Sequence, residues 1–294
     1  MRTPVLVYIL LVLTALFWGG SWVVVKQLTA EVDPIFIATV RFLIVSVFFL
    51  PVAVWLHKKG EKVKISDLGT ILLLGIFGVT LLYILQYYGI SLTTAINASL
   101  MITFNPTMTL ILSAMFLDEK INLKKILAII IAFLGAFLVI TNGSIDFEKM
   151  IGSIEGSLLT LGSTTCWAIY TVINKKTLNR HSPLFITVYT SIIGTILLIP
   201  VALLASSPDK LFTLSINGWL GLLYLAVLCS VFGYSAWSYS LEKLDASKVA
   251  IFNYLIPLFA VVLSYLFLGE SLTPYSAFGA FLIFAGVYYS TRVG

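Results

Sequence analysis

Between Val5 and Lys26 the chain runs for twenty residues without a charged side chain, and nine further windows of predominantly apolar residues follow. They cover 34–56, 68–90, 95–116, 123–141, 155–174, 183–205, 217–240, 246–268 and 275–292. About 20 apolar residues, rising 1.5 Å each in a helix, cross a hydrocarbon layer roughly 30 Å thick. Backbone N–H and C=O groups find no water there, so each window must satisfy them within itself, as a helix. The connectors are short, "SLTT" after the third window being the clearest. Short connectors make neighbouring helices antiparallel and leave no room for a soluble domain. Composition agrees: 60% of the 294 residues are hydrophobic and 11% charged, where a soluble domain carries about 25% charged residues. The expected fold is an all-α integral membrane protein of ten transmembrane helices. The opening "MRTPVLVYILLVLTALFWGG" has the basic start of a signal peptide. Its apolar run continues to Val25, however, and has a counterpart in the second half, so a spanning helix is expected instead.

That counterpart belongs to an internal repeat. At an offset of 149, Trp18 matches Trp167, Lys26 matches Lys175, Pro34 matches Pro183, Phe36 matches Phe185 and Pro51 matches Pro200. At an offset of 151, Tyr88 matches Tyr239, Pro106 matches Pro257, Glu119 matches Glu270 and Gly135 matches Gly286. The change of two falls between the second and third helices of each copy, where a loop absorbs it. Each half, 1–145 and 146–294, thus holds five helices. Because five is odd, the second copy enters the membrane from the opposite face, as in many carriers whose central cavity lies between inverted halves. With the N-terminus inside, the inner segments hold fourteen of the eighteen Lys and Arg residues. The positive-inside bias therefore puts both termini in the cytoplasm of a cell-membrane protein. The net charge of +5 and pI near 9.1 reflect those cytoplasmic lysines rather than a nucleic-acid partner. Cys166 and Cys229 lie in apolar windows, and His57 and His181 in connectors, so neither a disulfide framework, nor a metal site, nor a cofactor is expected.

Neutral polar and aromatic side chains occupy the windows where Leu or Val would suffice. The first window holds Trp18, Ser21 and Trp22; the third holds Tyr83, Gln86, Tyr87 and Tyr88; the fourth holds Asn97, Ser99, Thr103 and Asn105. In the second half come Thr164, Trp167, Tyr170, Thr171 and Asn174, then Tyr234, Trp237, Ser238 and Tyr239, then Asn253 and Tyr254. From these the substrate-binding candidates are Trp18, Ser21, Trp22, Tyr83, Gln86, Tyr87, Asn97, Thr103, Asn105, Trp167, Tyr170, Asn174, Tyr234, Trp237, Ser238 and Asn253. Such a set suits a ligand with an apolar body and a few polar groups. Each has a structural alternative. Trp and Tyr near helix ends form interfacial belts, as expected of Trp55, Trp219, Tyr275, Tyr288 and Tyr289. Ser and Thr bond their own helix or a neighbour. The amides of Gln86 and Asn253 need a partner in hydrocarbon, and another helix supplies one as well as a ligand does.

Charge is expected at the edges only. No Asp, Glu, Lys, Arg or His falls in the middle of a window, and Lys26 and Arg41 sit toward the outer helix ends. Either these two snorkel to the interface, pairing with Glu31 or Asp33, or they form an outer gate that meets a substrate carboxylate. A proton pump built on a buried carboxylate is thereby disfavoured, leaving uniport or exchange of neutral, zwitterionic or amphipathic solutes. Pro106 and Pro257, matched and mid-window, each remove a backbone donor and free a carbonyl, that of Ile102 or Asn253. They read as static kinks or as hinges of alternating access.

The stretches "ALFWGGSWVVVKQL", "DPIFIATVRF", "ITFNPTMTLILSAMFLDEKI" and "LAIIIAFLGAFLVI", with the second-half echo "NYLIPLFAVVLSYLFLGESL" and "AFLIFAGVYY", resemble the ten-helix EamA branch of the drug/metabolite transporter superfamily over nearly the whole chain. The most specific part runs from proline to Gly-Glu, for which the first copy has Asp118-Glu119. The resemblance implies a secondary transporter, often an exporter of amino acids or other small metabolites, working within the bilayer. The runner-up within that superfamily is a nucleotide-sugar or sugar-phosphate antiporter, which needs basic side chains facing the cavity. Outside it, a membrane-embedded enzyme lacks a nucleophile–base pair, and a channel leaves the matched prolines unexplained. The sequence leaves the oligomeric state open and compatible with a monomer.

Overall fold

A computed structural model of the chain describes residues 5–92, 98, 101–141, 154–205, 214–268 and 273–292. Ordered secondary structure among them is helical throughout. The helices are α1 (Val5–Glu31), α2 (Pro34–Lys58), α3 (Ile65–Leu92), α4 (Asn105–Phe116), α5 (Leu123–Thr141), α6 (Ile154–Thr177), α7 (Pro183–Ala205), α8 (Ile216–Lys243), α9 and α10 (Pro274–Arg292). Helix α9 starts as Ala246–Ala250, tightens to a 3-10 turn over Ile251–Tyr254 and continues as Leu255–Leu268. Six of these, α1, α2, α3, α5, α7 and α8, are long and apolar enough to cross a membrane.

The bundle turns the polarity of a soluble protein inside out. Val47, Phe48, Leu50 and Val54 of α2, Ile130 and Leu134 of α5, and Phe278, Phe281 and Phe284 of α10 all face outward. Thr160, Thr171, Asn174, Thr190, Ser230 and Ser238 are completely buried. Lipid tails are as apolar as Leu, so burying Leu between helices gains little. What holds such helices together is close packing and hydrogen bonds across their contacts. Ser46 of α2 and Thr195 of α7 supply one, with their hydroxyls 2.8 Å apart.

The closest pair is α5 and α10. A Cβ added to Gly135 would lie 2.6 Å from the Gly279 carbonyl and 2.7 Å from the Ile283 amide nitrogen; one added to Gly286 would lie 2.7 Å from the Ala128 carbonyl. Two backbones are in contact there, and only glycine permits it. Gly19 on α1 does the same against the Ile256 carbonyl of α9, at 2.8 Å. The other principal pairings are α2 with α7, α3 with α6, α1 with α8 and α9, and α4 with α6.

Local breaks refine what the sequence predicts. Helix α3 widens to π geometry over Ile76–Thr80, and α8 does so over Leu225–Phe232. Pro106 and Pro257 are not mid-helix kinks. Thr103 and Phe104 form a turn and Pro106 stands in the first turn of α4, while Pro257 is the third residue of Leu255–Leu268, in the first turn after the 3-10 segment of α9. A proline disfavours helical geometry in the residue before it but tolerates the first turn, where its missing N–H is unneeded. The chain therefore turns ahead of Pro106 and tightens to 3-10 geometry ahead of Pro257. Asp118, just past α4, adopts φ 56°, a left-handed turn in which Asp is tolerated and Gly is preferred. Its counterpart in the sequence repeat is Gly269, which lies outside the described residues together with Glu270.

Replacing Gly135 with Val forces α5 and α10 apart. The variant is expected to lose about 1–3 kcal/mol or more, seen as a lower thermal midpoint in detergent. Gly69→Ala, whose new methyl would meet nothing within 4 Å, is expected to keep the wild-type midpoint. Equal midpoints for Gly135→Val and wild type would contradict the packing.

Candidate functional site

Between the helices lies a cavity with about 680 Å³ of space free of protein atoms, part of it open to the outside. Helix α1 lines it with Trp18, Ser21, Trp22 and Val25, and α3 with Leu82, Tyr83, Gln86, Tyr87 and Ile90. Arg41 of α2, Ser163, Thr164 and Trp167 of α6, and Tyr234 of α8 close other sides, with Ile102, Asn105, Asn253 and Ile256 beside the breaks of α4 and α9. Ten of the sequence candidates thus meet around one space: Trp18, Ser21, Trp22, Tyr83, Gln86, Tyr87, Asn105, Trp167, Tyr234 and Asn253.

An aromatic cluster makes the floor. Trp18 meets Trp167 edge-on, ring centres 5.1 Å apart, and Trp237 packs on both at 5.5 and 5.3 Å. Trp167 also contacts Tyr170 and Tyr234 at 4.9 and 5.2 Å. Tyr170, Asn174, Trp237 and Ser238, also candidates, do not line the cavity. Trp237 is the buried third indole of the floor, its Nε1 without a hydrogen bond among the described residues. Tyr170, Asn174 and Ser238 are buried in a network in which the Asn174 amide donates to the Tyr170 hydroxyl at 3.0 Å and accepts from Ser238 at 3.1 Å. Thr103 is buried in the turn before α4, away from the cavity lining, and Asn97 lies outside the described residues.

The amides at the cavity edge bind one another. Asn253 donates to the Asn105 carbonyl oxygen at 2.8 Å, and Asn105 donates to the Thr164 carbonyl at 3.2 Å, joining α9, α4 and α6. Ser21 bonds its own helix, to the Trp18 carbonyl at 2.7 Å. Gln86 is half-buried and makes no hydrogen bond among the described residues, so its amide is available to a solute.

Each π segment frees a carbonyl, and an aromatic side chain from the other half takes it. The Tyr234 hydroxyl donates to Gly78 O at 2.6 Å in α3, and Trp18 Nε1 donates to Cys229 O at 2.9 Å in α8. The π widening is thus the backbone's contribution to the floor, and no sequence pattern announced it.

Arg41 departs most from expectation. It does not snorkel: the side chain is 3% exposed. Its Nε donates to Ser230 at 2.8 Å and its Nη1 to the Tyr87 hydroxyl at 2.7 Å. The guanidinium also sits 4.6 Å from the Tyr83 ring centre. The signal was available. Arg41 is seven residues past Pro34, about 10 Å along the helix, too deep for an easy reach to water. Lys26 does lie at a helix end, but it pairs with neither Glu31 nor Asp33. Its ammonium caps α3 by donating to Ile90 O at 3.1 Å. Asp33 instead caps α2, accepting from the Ile35 amide at 2.9 Å, and accepts from Tyr88 at 3.2 Å. Lys175, the repeat counterpart of Lys26, caps α8 at Leu241 O and Leu244 O.

Beside Lys175 the corner between α8 and α9 is held by Glu119. Its carboxylate accepts from the Ala246 amide at 2.6 Å and from the Ser247 hydroxyl at 2.5 Å, and faces Lys125 at 3.6 Å. A carboxylate at a helix N-terminus is favoured both by the free amides and by the helix dipole. On α1 the cavity lining runs from Trp18 to Val25, toward Lys26, and the clamped corner lies on the Lys175 side.

An apolar exterior, a polar interior and an aromatic-walled cavity define a multi-pass membrane protein of the transporter class, with a lipid bilayer around it and a small molecule as its substrate. The chain belongs to the EamA-like transporter family, whose profile matches residues 5–141 and again residues 154–292. An uncharacterized transporter of Archaeoglobus fulgidus is 34% identical, over 97% of this chain and 96% of that protein. A probable amino-acid metabolite efflux pump of Salmonella typhimurium is 29% identical, over 95% and 92%. A solved crystal structure superposes with a TM-score of 0.76 at 15% identity, covering 96% of each chain, and so shares the fold.

Glu119→Gln removes the charge that holds the α8–α9 corner. It is expected to destabilise the protein by about 1–3 kcal/mol, measured as a lower thermal midpoint, whereas Glu242→Gln, at a half-exposed surface pair with Lys243, is expected to change it little.

Proposed function

We propose that this protein is a carrier, acting chiefly in export, for small neutral, zwitterionic or amphipathic metabolites such as amino acids, and that it works by alternating access, as a uniporter or exchanger. In this reading ten transmembrane helices form two inverted halves, 1–145 and 146–294, with both termini in the cytoplasm and the Lys26 end outside. Support for two copies comes from the twofold match of one family profile and from paired contacts. Lys26 bonds Ile90 O as Lys175 bonds Leu241 O, partners offset by 149 and 151. Gly135 meets Gly279 and Ile283 as Gly286 meets Ala128 and Ala132, offset by 151. Support for the substrate class comes from relatives named as probable amino-acid metabolite efflux pumps in Salmonella typhimurium and Escherichia coli.

The observation that carries the mechanism is that matched residues of the two halves are in different states. Ser21, Trp22, Val25 and Tyr87 line an open cavity, while their counterparts Tyr170, Thr171, Asn174 and Ser238 are packed shut. Trp18 donates to Cys229 O, yet Gly78 O, the matching carbonyl, is taken by Tyr234 rather than by Trp167. Exchanging these two packings between halves opens the Lys175 side and closes the Lys26 side. A floor of three indoles separates the cavity from the packed side, which suits a carrier and not a continuous channel.

With Cys166 and Cys229 replaced by Ala, Gln86→Cys is expected to react with an impermeant thiol reagent from outside, and Ser238→Cys not to. Saturating amino acid at the opposite face is expected to slow the first and expose the second to reagent inside. Proteoliposomes preloaded with the same amino acid are expected to take up label faster than empty ones. Simultaneous labelling of both positions with no effect of preloading would defeat the carrier reading.

A further inference from the structure

We infer that Arg41 is the carboxylate-binding group of the cavity, so that the carried solute is an organic monocarboxylate whose apolar, ring-bearing body rests on the indoles of Trp18, Trp22 and Trp167. This rests on the carrier reading above and specifies its substrate.

Three features of Arg41 support the assignment. First, it lines the cavity and is almost fully buried, yet no carboxylate forms an ion pair with it among the described residues. A charge inside a membrane protein is expensive and is retained where it pairs or works. Its partners here are neutral hydroxyls, which orient a guanidinium without neutralising it. Second, the group is fixed in place. Ser230 holds Nε, Tyr87 holds Nη1, and the Tyr83 ring lies 4.6 Å from Cζ, so α2, α3 and α8 all locate it. Third, Nη2 makes no hydrogen bond among the described residues. A guanidinium presents its donors in a rigid fork that fits a carboxylate, and one unengaged nitrogen serves one carboxylate.

The same arrangement sets limits. Among the described residues no second cation lines the cavity, and the residue matching Arg41 in the other half is Thr190, a neutral side chain. A dicarboxylate, or a phosphate carrying two charges, would bring a charge without a partner. Among the described residues no Asp or Glu lines the cavity either, so an ammonium group has only neutral amides, hydroxyls and aromatic faces to meet. The acid group, not the amine, therefore governs recognition. An aromatic face accommodates a flat apolar body by offset or edge-on stacking.

Three probes with one ring system separate the groups: tryptophan carries both charges, indole-3-propionate the carboxylate alone, and tryptamine the ammonium alone. Binding to purified protein in nanodiscs is measured by competition and thermal shift. Tryptophan and indole-3-propionate are expected to bind at least about tenfold more tightly than tryptamine. Arg41→Gln is expected to abolish that preference and to leave tryptamine unchanged. Arg41→Lys, which keeps the charge and loses the fork, is expected to keep part of it. Where Arg41→Gln does not fold, a selective loss of the two acids in Arg41→Lys carries the test. Equal binding of all three by wild type, or an undiminished acid preference in either variant, overturns the assignment. Failure of all three to bind, with preloading still accelerating amino-acid uptake, also overturns it and leaves the carrier standing. Loss of that acceleration removes the carrier reading itself.

Discussion

A polar group taken out of water and left without a partner is the cost this molecule is organised around. In hydrocarbon an unsatisfied backbone or side-chain group costs several kcal/mol, so the helices are chosen by that penalty before any packing is considered. The exterior then has nothing to do but be apolar. The interior, unlike a soluble core, gathers hydroxyls and amides, because a hydrogen bond between helices is one of the few attractions that lipid does not already supply. Each such bond is modest, about 0.6 kcal/mol on average, so the bundle depends on many of them together with backbone contacts as close as Gly135 on Gly279.

The site grows from the same rule applied where the helix is imperfect. A π segment leaves a carbonyl that its own helix no longer satisfies. At Gly78 and Cys229 an aromatic donor from across the bundle takes it up, Tyr234 in one case and Trp18 in the other. These bonds place the two rings against Trp167 and Trp237, and the floor of the cavity results. Satisfying the backbone and walling the cavity are therefore one act. In the proposed alternating carrier, Trp167 would serve Gly78 in the other state as Trp18 serves Cys229 in this one.

Much of this was legible in the residues, and for physical reasons. Windows of apolar residues report helices because the bilayer allows little else. Trp18 and Trp167, matched in sequence, meet in space. Gly19, set in an apolar run, proved to be where α9 approaches α1. What the sequence hid depends on tertiary context. Charge position along a helix is visible, but whether Arg41 turns outward or inward is decided by Tyr87 and Ser230, 46 and 189 residues away. Similarly, Tyr170, Asn174 and Ser238 look no different from Ser21, Gln86 and Tyr87 by composition. Which set lines the cavity is decided by how the helices pack, which composition does not report. The prolines misled in a smaller way, since a break ahead of the first turn and a kink within the helix share one signature.

The two halves correspond in their backbone contacts and differ in their chemistry, and that difference is informative. Contacts such as Gly135 to Gly279 and Gly286 to Ala128 keep their matched spacing, because helix packing tolerates little change. The cavity positions diverge: Arg41 against Thr190, Gln86 against Trp237, Tyr87 against Ser238. A carrier with two chemically identical halves would hold its solute equally well from either side. Here the cation and the free amide belong to one half, so a carboxylate meets its best partners only while the Lys26 side is open. In the proposed orientation that side faces out. In the proposed carrier the opposite state offers the solute a weaker grip, which sets a different half-saturating concentration at each face, while the direction of net flux follows the solute gradient.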